Sequence, residues 1–265
     1  TNLKSKLLQV YNNRSQGQNY YIGMVSQIGN PEFKNENAYS KMSYPDDGFR
    51  LLSLYRYWNI INYFFPYKHL MDNDWNKKLK VYIPLFLNAK DELSYELTAI
   101  QLIGDIQDTH ANLWGGADKI DEWKGTNYSQ LHVRFIENQL VVTDYYINDL
   151  KSEVDLKIGD VITKINGKSI DEIIKEKSKY YPASNTPTRL RDLSADLLRS
   201  NAKEIEIEFK SSDYMTQIKT LKLYPRDSLN IYRWYKTIED KSYKMLENNI
   251  GYVTLQTIKQ EDISK

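Results

Sequence analysis

His110 and its neighbour Thr109 stand in the run QLIGDIQDTHANL, Gln101 to Leu113, with Asp105 and Asp108 just before them. Imidazole is the side chain that ordinarily changes charge between about pH 5 and 8. It can therefore act as general base to a weak nucleophile such as a serine hydroxyl, if held about 2.6–3.2 Å from it. Such a base is worth about 10²–10⁴ in rate. The plainer reading of His110 is a residue that ends a helix and bonds a backbone carbonyl at the negative end of the dipole. Asp105 and Asp108 lie three apart, a spacing that places two carboxylates on one helix face for acid/base work. A solvated face, with Asp108 capping the next turn, accounts for them more simply. Of the other two histidines, His69 falls in PYKHLMD between helices. His132 alternates out of phase with Leu131 and Val133 and is expected to face solvent or a groove. The chain has no cysteine, so thiolate nucleophiles and thiolate metal sites are excluded. It has neither a G-x-S-x-G elbow nor an H-E-x-x-H pair, and no metal or organic cofactor is implied.

These residues must be positioned by elements that the hydrophobic pattern outlines. Residues 1–48 are polar, with only Leu3, Leu7, Leu8 and Tyr11 hinting at a short helix. From Phe49, the stripe Leu51, Leu52, Tyr55, Trp58, Ile60, Ile61 and Phe64 predicts an amphipathic helix stopped by Pro66. A second helix carries Trp75, Leu79, Tyr82, Ile83 and Phe86, capped by Asp72 or Asp74 and kinked by Pro84. A third runs from about Asp91 to about Gln107 and leads to His110. Short connections imply an antiparallel helical layer over 49–117.

After Gly115-Gly116 the period changes from helical to alternating. Leu131, Val133 and Phe135 form one strand, Leu140-Val141-Val142 the next, and Ile205, Ile207 and Phe209 pair with Ile218, Leu221 and Leu223. Between them stands LKIGDVITKING, Leu156 to Gly167. Gly159-Asp160 is a turn, Val161, Ile162 and Ile165 are β-formers, and Asn166-Gly167 suits a two-residue hairpin turn with φ > 0 at both positions. Helices follow at about 171–180 and from Thr186-Pro187, read as N-cap and N1, along Leu190, Leu193, Leu197 and Leu198. Turn, short strand, tight turn and helix in this order resemble a PDZ domain, over 118–227. Beyond it, Tyr232–Thr237 and Ile250–Ile258 read as strands with no sequence left to complete their sheet.

Three runs together resemble the tail-specific (C-terminal processing) serine protease family, particularly its tricorn-like branch: QLIGDIQDTHANL, LKIGDVITKING, and NNIGYVTLQTI from Asn248 to Ile258. The likeness covers roughly residues 49–258 and rests more on their order than on any one motif. It implies an α+β chain: a helical region, then a PDZ-like β-barrel or sandwich with two helices, then, over 228–265, the first strands of an incomplete protease core. It implies that His110 is the general base, with Thr109 helping to orient the site, toward a serine beyond Lys265. This chain would then be inactive alone. In other branches a lysine takes the part of the base. The resemblance also implies that a peptide adds to the strand beginning Ser129, Gln130, Leu131, His132, Val133, beside a helix at about 187–199 that carries Arg189 and Leu190. Glycines that usually face a terminal carboxylate are replaced here by Ser129 and Gln130, and Arg189 and Arg191 are candidate carboxylate partners.

At 265 residues with net charge +1, acids and bases are interspersed, which argues against a nucleic-acid surface. No apolar run approaches the roughly 18 residues of a membrane span. The family likeness implies export to a periplasm or cell envelope, polypeptides with exposed C-termini as substrates, and self-association through strand edges. The alternative is a non-catalytic peptide-binding or scaffolding protein of the envelope built on the same PDZ-like domain.

Overall fold

The computed structural model describes residues 2–14, 17–115, 118–146, 156–211, 213, 215–231 and 243–253. The fold is α+β, with mixed helix and antiparallel sheet. It divides into two compact units: 1–123 with 176–189, and 124–175 with 190–265. No helix among the described residues is long and apolar enough to cross a membrane.

The first unit opens with α1 (Asn2–Asn13), none of whose residues is buried, and a small hairpin of β1 (Ile22–Met24) and β2 (Pro31–Phe33). Its body is α2 (Asp47–Phe64), α3 (Trp75–Leu87) and α4 (Glu92–Gly104), with α2 packed on α3 and α3 on α4. Each helix starts at an aspartate that accepts a backbone N–H: Asp46 from Phe49, Asp74 from Asn76, and Asp91 from Ser94. At α4 the Asp91 N–H in turn donates to the Ser94 hydroxyl, closing a capping box. The core is Leu54, Ile61, Trp75, Tyr82, Phe86, Leu102 and Ile106. The buried face of α2 is rotated from the expected stripe, because Leu52 and Tyr55 are exposed while Leu51, Leu54, Trp58 and Ile61 point inward. The Trp58 and Trp75 indoles each donate to the other's backbone carbonyl, 3.0 and 3.1 Å, which locks α2 to α3. Arg50, 4% exposed, donates to the carbonyls of Pro45 and Phe86 and pairs with Asp47, so its charge is not stranded in the core. A short α5 (Asp118–Lys124) follows.

The second unit is an eight-stranded antiparallel sheet. Its strands are β3 (Asn127–Ser129), β4 (Leu131–Ile136), β5 (Gln139–Tyr145), β6 (Val161–Ile165), β7 (Lys168–Ser169), β8 (Arg199–Ser200), β9 (Glu204–Lys210) and β10 (Thr216–Pro225). The path is β4-β5-β6-β9-β10-β3-β8, with β7 paired to β6. β3 and β4 are separated only by Gln130, yet β4 ends the path and β3 lies next to its other end. The sheet must therefore curl back on itself, and Gln130 is the corner. Leu131, Val133, Leu140, Val142, Ile162, Ile205, Ile207, Phe209, Leu221 and Leu223 fill its inside. The Asn166-Gly167 turn forms as expected, with φ of 47° and 76°.

The unit boundary passes through α6 (Ile170–Lys177) and α7 (Thr186–Ser194). At α7 the capping oxygen belongs to Asn185, which accepts the Thr188 N–H, rather than to Thr186. α7 also ends at Ser194, so Leu197 and Leu198 are buried from a turn and not from a helix face. A separate hairpin pairs β11 (Tyr243–Leu246) with β12 (Ile250–Val253). The expected strand at Tyr232–Thr237 and the end of the one at Ile250–Ile258 lie outside the described residues.

Candidate functional site

α4 stops at Gly104, three residues before the expected end, so Asp105 and Asp108 do not share a helix face. Asp105 is the C-cap; its carboxylate accepts the Tyr82 hydroxyl at 2.8 Å and pairs with Lys78 at 2.6 Å. Burial and this carboxylate both drive the Tyr82 pKa upward. Asp105 is thus a structural anchor between α3 and the end of α4.

The chain then turns through Gln107, at φ 56°, into Asp108-Thr109-His110. The Asp108 carboxylate accepts the His110 backbone N–H at 2.9 Å, an Asx turn. The same oxygen lies 3.4 Å from His110 Nδ1, at the outer limit of a hydrogen bond. The His110 side chain is fully exposed. Its carbonyl accepts the Trp114 indole N–H at 3.3 Å. The Thr109 hydroxyl accepts the Ser184 backbone N–H at 3.0 Å and lies 2.9 Å from the Ser184 hydroxyl. The turn is therefore pinned on both sides, by an acid within it and by a serine 75 residues on, while the imidazole projects outward. Asp108 and Ser184 also line a cleft of about 410 Å³ whose apolar wall includes Phe65, Tyr67, Leu70, Met71 and Ile106. Tyr57 belongs to the same neighbourhood. Its hydroxyl is buried and has no hydrogen-bond partner among the described residues, and burial, with the Asp108 charge adding, pushes its pKa up.

The other candidate residues belong to the sheet and to α7. Ser129, Gln130, Leu131 and Val133 are buried at 2–5% exposure, so these side chains cannot line an open slot. What that stretch offers is backbone. Ser129 N–H bonds the Leu198 carbonyl, and Gln130 O accepts from Tyr146 N–H. His132 is half-buried, its Nδ1 2.6 Å from the Thr143 hydroxyl and its ring edge-on to Tyr146. A bulge after His132 shifts the β4–β5 register. Arg189 donates to the carbonyls of Tyr181 and Ala183, at 3.2 and 3.4 Å, and so braces the loop that leads into α7; Leu190 is half-buried in α7. Arg191 pairs with Asp192. His110 and Thr109 lie in the first unit, and Ser129–Val133 and Leu190 in the second. His69 forms part of a 3₁₀ turn between α2 and α3, as its position suggested.

Sequence reasoning missed Ser184 and Tyr57. The Asx turn was within reach, because an aspartate two residues before an N–H is its ordinary signal. Ser184 carried no signal, since nothing local ties it to Thr109.

No family model matches the chain, and no curated protein does. Among solved structures, mature CPAF is similar at TM-score 0.46 and 11% identity, over 67% of this chain and 34% of that one. CPAF complexed with lactacystin is similar at TM-score 0.47 and 10% identity, over 67% and 35%. The photosystem II D1 C-terminal processing protease is similar at TM-score 0.38 and 13% identity, over 68% and 44%. The chain thus spans about a third of the CPAF structures and under half of the D1 protease.

Proposed function

We propose that this chain is the helical and PDZ-like part of an exported serine endopeptidase that grips exposed polypeptide C-termini, with His110 as general base. The observation that carries the reading is the Asp108–Thr109–His110 turn. A base needs an orienting group on one ring nitrogen and access at the other. Asp108 stands beside Nδ1, and full exposure leaves Nε2 open to a hydroxyl brought from elsewhere. Hydrogen bonds of this kind are commonly long before substrate binds and shorten in the working complex. Thr109, tied to Ser184, holds the turn rather than touching the reaction. The attacking serine is assigned to sequence outside residues 1–265.

Peptide capture is assigned to β4, the end strand of the sheet path. Addition of an extended peptide there would use main-chain bonds, which fits the burial of Ser129, Gln130, Leu131 and Val133 side chains. Arg189, already bound to two carbonyls of the loop before α7, is the weaker candidate for holding a carboxylate.

The test uses the complete protein that contains this sequence. His110→Ala should lower turnover of an unfolded protein substrate by about 10²–10⁴. Labelling of the serine by a fluorophosphonate should fall with it, while peptide binding to 124–231 stays. Undiminished turnover in His110→Ala removes the histidine from the mechanism. Absence of any fluorophosphonate-reactive serine in the complete protein favours the non-catalytic peptide-binding alternative.

A further inference from the structure

We infer that α1 is an interfacial anchor for an anionic lipid surface. Leu3, Leu7, Val10 and Tyr11 recur at the i, i+4, i+7, i+8 spacing of one helix face and are 59–70% exposed. None of the twelve residues of α1 is buried, so the first unit gives the helix no apolar cover. A helix this short is marginal in water without packing. Something must cover the stripe for the helix to persist.

Charge identifies the cover. Lys4, Lys6 and Arg14 are the only ionisable side chains, tyrosines aside, in the first 31 residues; the first acid is Glu32. Lys4 and Lys6 make no ion pair among the described residues, and Arg14 folds over the Tyr11 ring at 3.7 Å. A one-signed basic helix with an apolar stripe fits negatively charged headgroups over acyl chains. The stripe enters the boundary, and the lysine stems let the ammonium groups reach the phosphates. Tyr20, Tyr21, Met24 and Ile28 follow in the same acid-free segment, each more than half exposed, and tyrosine is at home at that boundary. At 12 residues α1 is too short to span a bilayer, so it lies in the surface plane.

The test is flotation of the whole 265-residue chain with two vesicle types, phosphatidylcholine alone and phosphatidylcholine mixed with phosphatidylglycerol. Binding is expected only to the second, and added salt should release it. Each basic residue near such a surface is worth about five-fold in affinity. Lys4→Gln/Lys6→Gln should therefore bind on the order of 30-fold more weakly. Leu3→Ser/Leu7→Ser should not float, and its near-UV circular dichroism should match the parent chain because neither residue is buried. No flotation, equal flotation with both vesicle types, or no effect of either double substitution overturns the inference. So does a self-association that Leu3→Ser/Leu7→Ser abolishes in a chain that does not bind vesicles, since the stripe would then cover a second copy.

Discussion

Replacing Asp196 with asparagine tests how the curled sheet is held closed. Asp196 receives Lys124 Nζ and Arg199 Nη1, each at 2.8 Å, and Arg199 Nε donates to the Gly125 carbonyl at 2.8 Å. Arg199 begins β8, which pairs with β3, so this cluster ties the last strand of the path to the start of the unit. Side-chain exposure is 6% for Arg199, 14% for Asp196 and 22% for Lys124. Removing one member of a buried ion pair costs about 3–5 kcal/mol, because the partner charge is left uncompensated. Two cations lose the Asp196 charge here, but Lys124 can turn to solvent, which places the loss near the lower end, about 3 kcal/mol. At about 2–4 °C per kcal/mol the melting point should fall by about 6–12 °C. Acid should have a related effect on the native chain. Burial works to raise the Asp196 pKa, but Lys124 and Arg199, as charges and hydrogen-bond donors, outweigh it and hold it below the ordinary carboxylate value. A carboxyl that titrates lower in the folded chain contributes fully above the unfolded pKa of about 3.9, and that contribution drains away as pH falls toward the folded value. Urea denaturation of the parent chain and of the Asp196→Asn variant, from neutral pH into acid, measures both effects. The difference between the two should be largest near neutrality and shrink below about pH 4. A loss under about 0.5 kcal/mol, or a difference that does not vary with pH, refutes the assignment of stability to this cluster.

Gly125→Ala should be damaging, because at φ 111° a Cβ would lie 2.4 Å from the Ser200 backbone nitrogen and push β8 off β3; a loss of about 2–4 kcal/mol by urea denaturation is expected. Leu54→Ala, at a core position with no exposed surface, should cost about 2–5 kcal/mol in the same assay. His110→Ala should instead leave stability within about 0.5 kcal/mol, so that its effect on turnover is separable from unfolding. Ser184→Ala should cost about 1 kcal/mol and speed amide exchange at His110, read by hydrogen–deuterium exchange.

Element types were legible from the chain because they follow from local period and turn chemistry. Alternation at Ile205, Ile207 and Phe209 placed β9, and Leu221 and Leu223 placed its partner β10, although Ile218 of the same run faces outward. Asn166-Gly167 named its turn, since few dipeptides accept two positive φ values. Asp91 marked one helix start, and of the two candidates Asp72 and Asp74 the second caps α3, because a short carboxylate beside free N–H groups has few better partners. The inward face of α2 was less legible. Apolar residues at Leu51, Leu52, Leu54 and Tyr55 spread over nearly half the helix circumference, and only packing against α3 chose among them. The candidate site divides in the same way. The family resemblance, not residue type or spacing alone, singled out His110, and Asp108 stood within its turn. Its tie through Thr109 to Ser184, the fate of Asp105 as an anchor for Lys78 and Tyr82, and the curl that makes Gln130 a buried corner all join residues far apart in the chain. Local propensity acts over a few residues, so it writes elements and turns into the sequence. Which distant side chains meet is settled by the burial of the whole apolar surface at once, and that became visible only in three dimensions.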